Sequence, residues 1–383
     1  MKSPGSKIKI GVIGAGAFGG WTALELARRG GRVTLFDAWG PGHSRASSGG
    51  ETRILRATYG PDRIYTRMAA RSLELWRKNQ ARWKLELFHP AGVLWMASNE
   101  DAYEKAALGI LAEEGVRFEL LRKKALAKRF PQMNLEGIGW AIFEPEGGYL
   151  LARSACEAVR RAFEREGGEY RQLPVTPGPI RGGVLKAVTL AGRSAFRADR
   201  WVFACGPWLG EVFPDVVGRF LTPTRQEVFF FGSPAGEACF NEGRLPVWID
   251  YGENWFYGIP GNQGRGLKVA CDKRGPAIDP TFGDRVPTAE GIRAARDYLE
   301  FRFPAMRGAP LIESRVCQYE QSRDGHFILD RHPEARNVWV AGGGSGHGFK
   351  HGPALGEMAA RGVLEEIPPY AGFALARFTK NNS

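Results

Sequence analysis

A chain of 383 residues, 43% hydrophobic and 25% charged, has the makeup of an ordinary globular enzyme with room for two modest domains, which excludes disorder as its default state. The formal charge of +12 arises from 53 Lys and Arg against 41 Asp and Glu; the basic residues are scattered through amphipathic stretches such as 153–171, which argues against a nucleic-acid partner and for a solvated surface that draws in anionic substrates. Five cysteines without CxxC spacing, histidines without HExxH and the lack of any apolar run long enough for a bilayer exclude structural zinc, a disulfide framework and a membrane span, and the expected location is the cytoplasm.

The chain begins with a dinucleotide signature. Lys2 and Lys7 precede an apolar run, residues 8–13, that Gly11, Gly14 and Gly16 interrupt, so it is neither a signal peptide nor a span. The run reads as a buried parallel strand, and 17–29 has the period of an amphipathic helix. Gly14, Gly16 and Gly19 fall at the junction: the first for a tight turn, the second for close approach of a pyrophosphate, the third for packing of helix on strand. Gly30 and Gly31 end the helix. A second strand, 32–36, delivers Asp37, eighteen residues past Gly19, where a carboxylate accepts the ribose hydroxyls of an adenosine and disfavours a 2′-phosphate. FAD or NAD is expected, not NADP.

From 39 to 52 the composition is that of a loop, where an NAD domain would continue with strand and helix. Helices are expected over 64–80, 101–114, 124–129, 152–166 and 289–303, and strands over 92–97, 139–143, 184–190, 225–231, 247–251 and 255–259. Residues 198–208 read as a buried strand entering a glycine turn. Near the C-terminus the strand 337–341 runs into Gly342-Gly343-Gly344-Ser345-Gly346-His347-Gly348 and a helix over 353–364, a second place where backbone donors face a ligand. Two such loops at opposite ends imply that the termini meet on one nucleotide domain while the middle supplies a substrate cap. The last residues, Asn381-Asn382-Ser383, form no peroxisomal address.

Several stretches together resemble the FAD-dependent amine oxidases of the D-amino acid oxidase family, and within it the monomeric sarcosine oxidase and N-methyltryptophan oxidase group. These are the glycine turn, 50–56 with Tyr59, 225–228, 255–260, 266–268, 317–319, 326–330 and 345–350. The resemblance implies an α/β chain of α+β two-domain form. A Rossmann-like FAD-binding domain (1–86, 142–220 and 316–383) would carry an antiparallel-sheet substrate domain (87–141 and 221–315). It also implies FAD joined through a methyl carbon of its ring to Cys317, which read alone is a small buried hydrophobe, the commoner fate of a free cysteine. Lys268 matches the lysine that promotes reaction with oxygen, through charge placed where dioxygen is reduced; alone it could be a solvated strand lysine. Arg56 and Lys350 match the pair that holds the substrate carboxylate, although Arg56 could pair with Glu51 and Lys350 could sit on the surface. Arg53 is placed on the flavin side with Gly344, Gly346, His347, Gly348 and Lys350, and Tyr257 and Tyr319 in the substrate pocket.

The implied activity is oxidation of a secondary or N-substituted amino acid to an imine, with oxygen reduced to hydrogen peroxide, by a monomer that needs no metal. Alternatives are a dehydrogenase passing electrons to a quinone or carrier protein, an NAD-linked dehydrogenase, and a flavin-binding module without turnover. Two positions depart from the family: Ser48-Gly49 replaces a histidine pair, and Asp272 replaces a histidine four residues after Lys268. Gly49 is expected to open room in the pocket. Asp272 is expected either to add a carboxylate that favours polar N-substituted substrates, or to pair with Lys268 or Lys273.

Overall fold

Strand Lys9–Ile13 is buried from Ile10 onward because both of its edges are paired, in parallel, by Arg32–Asp37 on one side and Arg200–Phe203 on the other. It lies inside a six-stranded sheet of a computed structural model that describes residues 8–98, 101–192, 194–252 and 254–379; Lys2, Lys7 and Asn381 to Ser383 fall outside the described residues. The strand order is Ile328–His332, Ala335–Gly342, Arg200–Phe203, Lys9–Ile13, Arg32–Asp37, Glu169–Gln172, parallel except for the first pair. A parallel sheet must be covered on both faces. On one face lie the helices Ala17–Arg28, Ala152–Arg165 and Gly352–Val363, joined through Trp21, Val159 and Leu355. On the other, Val188 and Phe196 of a small antiparallel sheet meet Trp201, Phe203 and Val338. Gly356 lets two helices approach closely, since a Cβ there would lie 2.8 Å from the Trp21 backbone.

A second sheet of eight strands runs Leu311–Ser322, Leu221–Phe231, Leu267–Cys271, Phe256–Ile259, Val247–Asp250, Val93–Ala97, Trp140–Glu144, Glu119–Arg122. It is antiparallel apart from the pairing of Val247–Asp250 with Val93–Ala97. Helix Ala289–Arg302 packs on it, anchored by the buried Arg302, which donates to Asp250 at 2.8 Å. A third sheet, Thr52–Leu55, Gly148–Leu151 and Phe88–His89, stands beside the other two. The expected strand over 184–190 is in fact two, Val184–Leu185 and Ala187–Leu190, because each pairs with a different partner. The loop after Asp37 carries no regular element until Thr52. No helix among the described residues is long and apolar enough to cross a membrane.

Candidate active site

At the carboxyl ends of the parallel strands lies a cleft open to solvent at its mouth. Gly14, Gly16, Asp37, Gly344, Gly346 and Gly348 are on its wall. The three glycines of the first turn do different work. Gly14 has φ +104°, and a Cβ there would lie 2.2 Å from the Ala204 carbonyl oxygen; a Cβ on Gly19 would lie 1.9 Å from the Gly14 carbonyl oxygen. Both are required by the protein's own backbone. At Gly16 the nearest atom to such a Cβ is Ser48 Oγ at 3.4 Å, so the protein alone does not demand glycine there.

The Asp37 carboxylate accepts three backbone N–H groups, from Ala15 at 2.8 Å, Trp39 at 2.9 Å and Gly40 at 2.8 Å, which fix it at the cleft edge. Ser48, one of the family departures, accepts from the Ala17 N–H at 3.1 Å and so caps the first helix. In the C-terminal loop, Ser345 takes φ +45°, unusual for a residue with a side chain, and its Oγ donates to the Gly343 carbonyl at 2.9 Å. Glu320 reaches the cleft wall from the long strand Leu311–Ser322, and its buried Oε1 has no hydrogen-bond partner. Burial pushes its carboxyl up to about 8.

His347, expected to face the cofactor, instead turns into an aromatic cluster. Its ring stacks on Phe327 with centroids 4.8 Å apart, Nδ1 meets the Tyr59 hydroxyl at 3.2 Å, and Nε2 meets the Gly325 carbonyl.

Next to the cleft, Arg53, Lys268 and Cys317 converge on one spot. The Thr52 carbonyl accepts from Arg53 Nη1 at 2.8 Å and from Lys268 Nζ at 2.9 Å, while Arg53 Nη2 stands 3.4 Å from Cys317 Sγ. Lys268 is buried, not a solvated strand lysine, and burial together with Arg53 holds its ammonium well below its ordinary range. Tyr257 lies beside it, with its ring 5.6 Å from Nζ.

A second cluster forms around Tyr59. Lys350 is buried and donates to the Tyr59 hydroxyl at 2.8 Å, and the Arg56 guanidinium lies over the rings of Tyr59 and Trp95 at 4.3 and 4.6 Å. Arg56 does not pair with Glu51, whose carboxylate is taken by Arg315 at 3.0 Å; it donates to the Thr58 carbonyl. Glu144 pins this segment by accepting from the N–H groups of Ala57 and Thr58. Burial, then Arg56, holds Lys350 well below its usual range.

The departures behave differently from expectation. Gly49 opens no room in the pocket: a Cβ there would lie 1.9 Å from the His43 carbonyl oxygen, inside its own loop. Asp272 pairs with neither Lys268 nor Lys273. It accepts from the hydroxyls of Tyr251 at 2.7 Å and Tyr319 at 2.9 Å, and burial raises its pKa although Arg56 and Lys350 pull it down. Sequence reasoning missed Tyr251, Trp95, Glu144 and Glu320. No motif marks them; each earns its place only through strands remote in sequence.

A family model for FAD-dependent oxidoreductases matches residues 9–361. The chain is 31% identical over 361 residues to monomeric sarcosine oxidase of Bacillus sp. (strain B-0618), covering 92% of this chain and 91% of that one. It is 28% identical over 373 residues to N-methyl-L-tryptophan oxidase of Yersinia pestis (strain Pestoides F), covering 96% and 98%. Among solved structures, L-proline dehydrogenase from P. horikoshii shares the fold, with a TM-score of 0.85 over 98% of both chains at 22% identity.

Proposed function

The chain belongs to the family of FAD-dependent oxidoreductases, and from that premise we propose that it oxidises a secondary, N-substituted amino acid to an imine. The observation that carries this reading is the pair Arg56 and Lys350: two buried cations gathered on Tyr59, their hydrogen bonds going to neutral oxygens and none to a carboxylate among the described residues. A buried cation that touches no anion is costly, and a substrate carboxylate supplies that contact, with the guanidinium offering a fork.

The residues on the cleft fit FAD. Gly16 is bare toward the cleft without any need of the backbone for it, and Glu320 Oε1 waits buried on the same wall without a partner. Gly14, Gly16, Asp37, Gly344, Gly346 and Gly348 would hold the cofactor, with Arg53 beside its ring. FAD, when bound, supplies a two-electron oxidation of the carbon next to nitrogen and passes the electrons to dioxygen, giving hydrogen peroxide. The chain's part is to hold the carboxylate at Arg56 and Lys350, line the pocket with Tyr257 and Tyr319, and place the Lys268 ammonium where charge develops on oxygen. Under air, N-methyl amino acids should release peroxide in proportion to substrate consumed. Turnover that needs an added electron carrier and yields no peroxide would replace the oxidase reading with the dehydrogenase one.

Cys317 Sγ is the atom proposed to carry a covalent link to the flavin, supported by its place 3.4 Å from Arg53, a residue of the cleft wall. Acid-denatured protein should keep its yellow fluorescence, and Cys317→Ser should release it; free flavin from the unaltered protein would rule out the link. The proposed division into a cofactor unit (1–86, 142–220, 316–383) and a substrate unit (87–141, 221–315) draws support from the two large sheets, although strands Trp140–Glu144 and Leu311–Ser322 cross its boundaries. The names of the bacterial relatives support a monomer, and five free cysteines support a reducing, cytoplasmic setting.

A further inference from the structure

Asp272 is a half-buried carboxylate with two hydroxyl partners and no cation within ion-pairing distance among the described residues. Tyr251 and Tyr319 each donate to a different oxygen, which occupies one lone pair on each and leaves the others open. The surroundings are aromatic. Tyr251 stacks against Trp255 with centroids 5.4 Å apart, and meets Trp95 edge-on at 5.2 Å. The Arg56 guanidinium lies over the same Trp95 ring, 4.6 Å from its centroid. Lys350 and Arg56 act on the carboxylate from a distance without touching it, and Tyr257 and Cys271 are further titratable neighbours. A carboxylate held by two tyrosine hydroxyls beside aromatic rings is the chemistry that recognises an alkylated ammonium, through charge and through the faces of the rings.

Resting on the reading of the site as one for N-substituted amino acids, we propose that Asp272, set by Tyr251 and Tyr319, is the seat for a cationic nitrogen of the substrate. Arg56 and Lys350 take the carboxylate, and Asp272 takes the positive end. The nitrogen is either the amine to be oxidised or a second ammonium on the side chain.

Four ligands that share a carboxylate separate these sources by calorimetry on the flavin-loaded protein. Methoxyacetate and N,N-dimethylglycine differ in charge at the amine position; hexanoate and its omega-amino derivative differ at the far end. In Asp272→Asn the cationic member of at least one pair should weaken about tenfold or more relative to its uncharged mate. A loss in the first pair places the amine at Asp272, and a loss in the second places a side-chain ammonium there. Neither ratio moving by more than about threefold overturns the proposal. Should Asp272→Asn bind none of the four, Asp272→Glu decides: it keeps the charge and must keep the discrimination, and its loss there also overturns the proposal. These constants need no turnover. A flavin left unbleached by every N-methyl amino acid therefore defeats the amine-oxidation reading separately from the seat.

Discussion

Lys268 spends its ammonium on a backbone oxygen, the Thr52 carbonyl at 2.9 Å, and shares that oxygen with Arg53. A buried lysine held this way next to a guanidinium gives up its proton more readily than an exposed one, because burial and Arg53 both disfavour its charge. The sign follows directly. The cation is present below its depressed pKa and is lost as pH rises through it, so oxidation of the reduced flavin by oxygen should slow as pH rises. Lys268→Met should lower that rate about a hundredfold at neutral pH and flatten its pH dependence, while reduction by substrate changes far less. Stopped-flow measurement of the two half-reactions reads this, and equal losses in both would move Lys268 to a substrate-binding or structural role.

At the scale of elements, the turn between Lys9–Ile13 and Ala17–Arg28 separates glycines that the fold needs from one that the ligand needs. Gly19→Ala should lower the melting temperature, because the new methyl would sit 1.9 Å from a backbone oxygen. Gly16→Val should instead leave a folded protein that purifies colourless. A yellow Gly16→Val with full flavin would remove the cofactor from this turn. This turn was legible because strand, glycines, helix and Asp37 lie in one continuous stretch whose spacing is itself the signal. The C-terminal glycine loop was legible for the same reason. The long strand Leu311–Ser322 was not read as a strand: Glu313, Arg315, Gln318 and Glu320 break up any apolar run, and its pairing with Leu221–Phe231 supplies what its own pattern lacks. Position Asp272 could be picked out from the sequence, but its partners could not, since Tyr251 follows one strand and Tyr319 lies on another. The room expected at Gly49 vanished for a local reason, the fold of its own loop onto His43.

Across the whole molecule the candidate site belongs to no single sheet. Arg53 comes from the three-stranded sheet, while Lys268, Cys317 and Tyr319 stand on the eight-stranded one; Lys350 follows the glycine loop that leaves the six-stranded one, and Arg56 lies just past the Thr52–Leu55 strand. Burying Arg56 and Lys350 beside one another costs desolvation, and the central claim is that an anionic substrate beside a cofactor offsets it. Anaerobic titration of the yellow protein with an N-methyl amino acid, with the matching amine lacking a carboxylate, and with the matching acid lacking nitrogen tests it most directly. Bleaching of the flavin by the amino acid alone, and its loss in Arg56→Ala, is the predicted result; no bleaching by any N-methyl amino acid, or equal bleaching by the amine without a carboxylate, would contradict it.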